Sequence, residues 1–143
     1  MKVIGFNLEE ISAKKERDFK RNSISTDISF VDIDKANVDV LKDNETLRLK
    51  FKFLVSYKDA DASKEAKDEK NEISLTGSIL SMVTKDESKE FLKLWKNKEI
   101  PKDKMLGLYN FILKKCSVRA LQLEEELNLQ PHIPFPQVKN KQN

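Results

Sequence analysis

Few side chains in this 143-residue chain are of the types that make or break bonds. There is one histidine, His132, and one cysteine, Cys116. A zinc site of the usual nitrogen and sulfur ligands is therefore not available within one chain. A serine–histidine–acid or cysteine–histidine pair would have to use His132, which lies among Pro131, Pro134 and Pro136. An extended, proline-stiffened segment suits an exposed or packing histidine better than a general base. Asp32 and Asp34 form the best acidic pair. Within a strand they would share a face, but at a strand end such residues mark a turn, which fits better than carboxylate catalysis or Mg²⁺ binding. Gly5, Gly77 and Gly107 are scattered, so no phosphate-cradling loop exists. These residues point away from an enzyme and imply no cofactor or metal.

The basic row Arg48, Lys50 and Lys52 has the alternate spacing of one strand face and could meet phosphates. The aromatics of the same stretch, Phe51 and Phe53, fall on the opposite face. A stacking platform needs aromatics and base contacts on one surface, so the row reads as a solvated sheet face. Charged residues make up 36% of the chain, with both signs mixed and a net charge of only +3. That balance does not by itself imply nucleic acid. The N-terminal run soon meets Glu9 and Glu10, which is too short and too charged for a signal peptide. No stretch approaches the ~20 apolar residues of a membrane span. A soluble, cytoplasmic protein is expected.

The elements that must position these residues follow from periodicity. Val3 to Ala13 alternates, with Ile4, Phe6 and Leu8 on one face. The parity then flips to Ile11 and Ala13, which predicts a bulge at Glu9 and Glu10. Ile24 to Ile33 reads as a second strand, with Phe30 on one face and Val31 and Ile33 on the other. Leu47 to Tyr57 is the clearest strand: its odd positions are apolar throughout. Ile73 to Val83 is the fourth, with Gly77 as a gap or bulge. Residues 58–72 between the last two carry no apolar residue larger than alanine and read as a mobile charged connection. Thr84-Lys85-Asp86-Glu87 fits a capping box opening a short helix, which ends near Asn97 and carries Phe91, Leu94 and Trp95 on one face. Four successive strands and two helices predict an α+β fold: a four-stranded antiparallel meander with a short and a long helix packed on one face. One domain is expected over 1–138, with residues 139–143 as a disordered tail.

The long helix is predicted over Pro101 to Leu129. Met105, Tyr109, Ile112, Cys116, Ala120, Leu123 and Leu127 recur at steps of three and four, the period of one helix face. On that stripe Cys116 reads as a small buried hydrophobe. Leu106, Leu108, Phe111 and Leu113 widen the stripe beyond one face. A helix apolar nearly all round must be covered on more than one side. A second copy of the chain is expected to cover Met105, Leu108, Tyr109, Phe111, Ile112 and Cys116, giving a dimer or a dimer of dimers.

The run Asn110-Phe111-Ile112-Leu113-Lys114-Lys115-Cys116-Ser117-Val118-Arg119-Ala120, followed by Leu127-Asn128-Leu129-Gln130-Pro131-His132-Ile133-Pro134-Phe135-Pro136-Gln137-Val138, resembles the SecB family of export chaperones. The motif likeness covers residues 105 to 138; the order of elements extends it to the whole chain. The resemblance implies a non-enzymatic holdase, assembled as a dimer of dimers, that keeps unfolded polypeptides in apolar surface grooves. Two departures stand out. The type members carry a further helix after the proline segment, and here only five polar residues follow Val138. The family docks its translocation motor on an acidic sheet surface, where this chain has Arg48, Lys50 and Lys52. Some SecB-like relatives instead protect an antitoxin.

The client surface should be the apolar material left once a core is assigned. Leu80 and Met82 face away from the core positions of the fourth strand, and Phe30, Val31 and Ile33 give the second strand apolar residues on both faces. Phe91, Leu94 and Trp95 stripe the short helix, while Ile133 and Phe135 are held outward by prolines. Together these are expected to line a groove. The alternative is a dedicated interaction subunit for one partner, such as an antitoxin, without generic chaperone activity.

Overall fold

The computed structural model describes residues 1–17, 21–37, 43–59 and 71–140. The alternating stretches become four strands: β1 (Lys2–Lys14), β2 (Arg21–Ala36), β3 (Asn44–Asp59) and β4 (Glu72–Thr84). Two helices follow, α1 (Lys85–Lys96) and α2 (Lys102–Glu126). The strands form one antiparallel sheet in the order β1-β4-β3-β2, so the fold is α+β with the helices on one face. The meander runs through β2, β3 and β4. β1 does not pair with β2 but lies along the free side of β4, the Greek-key arrangement.

The period-2 pattern of β3 dictates the core. Leu47, Leu49, Phe51, Phe53, Val55 and Tyr57 all point to the helix side and are buried. Ile73, Leu75, Ile79 and Val83 of β4 join them, and α2 supplies Met105, Leu108, Ile112, Cys116, Ala120 and Leu123. Each fully buried Leu, Ile, Val, Phe or Met among them contributes roughly 1.5–3 kcal/mol.

β1 and β2 are the sheet's edges, and their bulges re-aim side chains. The register of β1 slips between Leu8 and Glu10, at the expected pair of glutamates, and again between Val3 and Gly5. In β2 it slips between Phe30 and Asp32. Val31 is the extra residue and is exposed, so Ile33 turns back to pair with Leu49 and is buried. The expectation that Ile33 shares an outward face with Val31 is therefore corrected: the bulge restores Ile33 to the core. Asp32 and Asp34 lie inside β2, not at a turn, directly across from Lys50 and Arg48.

Both helices are closed without glycine. Thr84 caps α1, its hydroxyl accepting the Glu87 N–H at 3.2 Å. At the far end the N–H of Glu99 reaches the Leu94 carbonyl and that of Lys98 reaches Trp95, with Lys98 at φ 55°. The end of α2 repeats this: Leu129 N–H bonds the Glu124 carbonyl at 2.8 Å, Asn128 N–H bonds Glu125, and Asn128 sits at φ 54°. These are Schellman closures with a left-handed lysine and asparagine where glycine is usual. The second one sets the direction in which residues 129–140 leave the helix.

The ends of the charged connection are structural. β3 extends through Lys58 and Asp59, and β4 begins at Glu72. Asn71 is buried: its carbonyl accepts the Tyr57 N–H and its Oδ1 accepts the Glu16 N–H at 2.7 Å. The rest of the expected connection, residues 60–70, lies outside the described residues. Of the expected tail, Lys139 and Asn140 are exposed and without regular structure, and residues 141–143 are likewise outside the described ones.

Gly77 is needed where β4 meets the bulge of β1. A Cβ there would stand 2.2 Å from the Asn7 carbonyl oxygen and 3.1 Å from both Leu8 and Phe51. Backbone, not a flexible side chain, blocks the space. Gly77→Ala is expected to lower unfolding free energy by about 1–3 kcal/mol or more, as overpacking does. Denaturant unfolding checks this, and an unchanged midpoint would refute the close approach.

Candidate functional site

The most distinctive chemistry lies where α2 ends. Ser117 and Glu124 are seven residues apart and so share one side of the helix. Tyr57 closes the apolar row of β3. The Schellman turn brings Gln130, Pro131 and His132 back against both elements. The result is a buried polar cluster, with the His132 and Glu124 side chains only 2% and 1% exposed.

Glu124 is its centre. Oε1 lies 2.7 Å from His132 Nδ1, and Oε2 accepts the His132 backbone N–H at 2.9 Å. The Tyr57 hydroxyl makes a very short contact with the same Oε2. That hydroxyl is also 2.9 Å from the Gln130 carbonyl oxygen, so its single proton is shared between two acceptors. A carboxylate oxygen accepts from Nδ1 in the tautomer that carries the ring proton there. His132 Nε2 stands 3.1 Å from Ser117 Oγ. A serine hydroxyl both donates and accepts, so it satisfies Nε2 with or without a proton. Phe53 meets the imidazole edge-on, ring centroids 5.9 Å apart.

The expectation of an exposed or merely packed histidine is corrected: His132 is buried and bonded through the ring and the main chain. Ser117–His132–Glu124 even follow the serial order of nucleophile, base and orienting acid. The surroundings fit anchorage instead. Ser117 is in the middle of a helix, where backbone N–H groups are committed to helical bonds and offer no oxyanion donors. The neighbouring open cavity of about 470 Å³, lined by Leu121, Glu125, Leu129, Pro131 and Phe135, reaches the cluster from the Glu124 side. Glu124, Ser117 and Tyr57 were not singled out from sequence. The available signal was a serine and a glutamate two turns apart beside an apolar stripe.

The expected client residues do not form one groove. Ile33 and Phe91 belong to the core. Phe30 is half-buried, its ring 5.3 Å from that of Tyr109. Leu94 and Trp95 are half-buried on α1. Leu80 and Met82 lie on the outer sheet face, which the sheet itself separates from the helices. Val31, Ile133 and Phe135 are exposed. The expected oligomer residues also divide. Met105, Leu108, Ile112 and Cys116 face the sheet and are core, while Tyr109 and Phe111 are half-buried flanks. The solvent side of α2 instead carries Leu106, Leu113 and Val118, which are 59%, 40% and 61% exposed.

On the outer face, Arg48 and Lys50 line an open depression of about 380 Å³ with Gly5, Asn7, Glu9, Ser78 and Leu80. Asp34 and Asp32 stand opposite these two cations across the strands. Charges so paired compensate each other, and Phe51 and Phe53 are buried on the far side. Among the described residues, no group of three or more histidine, cysteine or acidic side chains comes together to hold a metal. No helix among them is long and apolar enough to cross a membrane. Comparison with protein families, curated proteins and solved structures finds no match to this chain.

Two predictions follow from these sites. Oε2 accepts from two fixed donors, so Glu124→Gln must turn its N–H₂ toward His132 Nδ1 and exchange charge-assisted bonds for neutral ones, which should cost about 1–3 kcal/mol. Ser117→Ala removes one contact and should cost less; denaturant unfolding giving the reverse order would contradict the central role of the carboxylate. Burial pushes the Cys116 thiol from its ordinary 9.0 up to about 12. The folded state thus holds this proton more tightly than the unfolded chain, and its contribution to stability is full below about pH 9 and declines toward about pH 12. At pH 8 a thiol reagent should label Cys116 only after unfolding, and rapid labelling of the folded protein would refute its burial.

Proposed function

We propose that this chain is a SecB-like, non-enzymatic holdase of the cytoplasm that self-associates and captures unfolded polypeptides on apolar surface. The observation that carries the reading is exposed apolar surface on α2, Leu106 and Leu113 two turns apart on one flank and Val118 farther round the helix, on an element whose core side is already filled. Ile133 and Phe135 add exposed apolar surface on the segment beyond it. Exposed apolar patches on a soluble protein mark sites where something binds. An unfolded chain exposes apolar side chains, and contacts made by burial alone accept many sequences. The motif likeness over residues 105 to 138 points the same way. Leu106 and Leu113 replace Ile112 and its core neighbours as the residues through which copies associate.

A second reading, a subunit dedicated to one partner such as an antitoxin, is favoured by the outer sheet face. Arg48 and Lys50 face Asp34 and Asp32 there, so the face is compensated and does not offer the acidic dock used by the SecB family.

The deciding experiment is suppression of aggregation of an unrelated unfolded protein at low and high salt. Capture by burial should persist at high salt, because screening weakens charge contacts and not apolar ones. Leu113→Asp should weaken capture or self-association with the fold intact, whereas Ile112→Asp should unfold the chain. No suppression at either salt would overturn the holdase reading, and tight binding to one protein alone would support the second.

A further inference from the structure

We propose that residues 130–138 form a detachable strap, latched at Glu124, that opens as a unit while the sheet and helices stay folded. Three observations lead there. First, the described polar ties of this segment all run to side chains: Gln130 carbonyl to Tyr57, His132 N–H and Nδ1 to Glu124, and His132 Nε2 to Ser117. No backbone ladder holds it, and its prolines remove further donors. Second, burial ends at the latch. Ile133 through Val138 are exposed, with Phe135 at 59%. Only Gln130, Pro131 and His132 stand between the closed helix end and free chain.

Third, the latch has an alternative partner at hand. The cavity of about 470 Å³ beside the strap borders Glu124 itself. A buried carboxylate is held in place only while its donors are present, and removing them without replacement is costly. Here water from the cavity can take their place as the strap leaves. Tyr57 stays on β3 and keeps its own donor facing the carboxylate. The Ser117 hydroxyl, released from Nε2, can turn its proton to another acceptor. Both the latched and the open arrangement therefore satisfy these groups, which is what a local opening separate from global unfolding requires. Opening would uncover Phe53, whose ring the imidazole now covers edge-on. The proposal stands whether or not the chain captures clients.

Hydrogen exchange of the full chain, followed by NMR at rising denaturant, tests it. The His132 amide is the reporter, because its N–H is bonded only through the latch, and β3 and β4 amides report global unfolding. The His132 amide should exchange at least about tenfold faster than the β3–β4 core, with little denaturant dependence. Glu124→Gln should speed it at least about tenfold more, with its denaturant dependence still well below that of the core. Should that variant fail to fold, Tyr57→Phe, which frees the Gln130 carbonyl, should speed it to a smaller extent. Exchange of His132 together with the core at one denaturant dependence, in the parent chain or in the variant, would overturn the strap.

Discussion

A carboxylate taken out of water must be given donors, and Glu124 receives them from two other parts of the chain at once. Its side chain binds β3 through Tyr57 and the C-terminal segment through His132, while its own backbone carbonyl closes α2. One residue therefore fixes where the helix stops, how it sits on the sheet and where the proline segment goes. The desolvation cost of such a group is several kcal/mol unless its lone pairs are filled, which makes the arrangement intolerant of partial loss. This part of the fold is specified by polar complementarity; the rest follows from apolar burial.

Local signals were readable. The alternation of Leu47 to Tyr57, the Thr84–Glu87 cap and the α2 stripe each depend on neighbours a few residues apart, and all appear as expected. The bulge at Glu9 was visible because apolar parity flips across it. The Val31 bulge was hidden in the sequence: apolar Phe30, Val31 and Ile33, interrupted by Asp32, allow either face, and only pairing with β3 decides. Among the described residues the left-handed positions fall on Asp43, Lys98 and Asn128 and no glycine has positive φ, so the usual marker was missing. The partner of β1 and the Glu124 cluster depend on residues far apart in sequence, Asn7 with Gly77 and Tyr57 with His132, which periodicity cannot join.

The two faces of the molecule divide the work. The outer sheet face sets cations against aspartates across β2 and β3 and is suited to water. The helix face buries one side of α2 and leaves Leu106, Leu113 and Val118 exposed, and beyond the helix runs a segment stiffened by Pro131, Pro134 and Pro136. A stiff segment loses little entropy when something docks against it. The proposed holdase reading draws on that asymmetry.

The central structural claim is that Glu124 couples β3 to the C-terminal segment, since the Tyr57 hydroxyl bonds its Oε2 and the His132 ring its Oε1. A double-mutant cycle on unfolding free energy, with Tyr57→Phe and His132→Ala, measures that coupling directly. The two substitutions should be non-additive by about 1–3 kcal/mol, as for residues sharing one hydrogen-bond network. Additivity within about 0.5 kcal/mol would contradict the account, because independent sites behave that way.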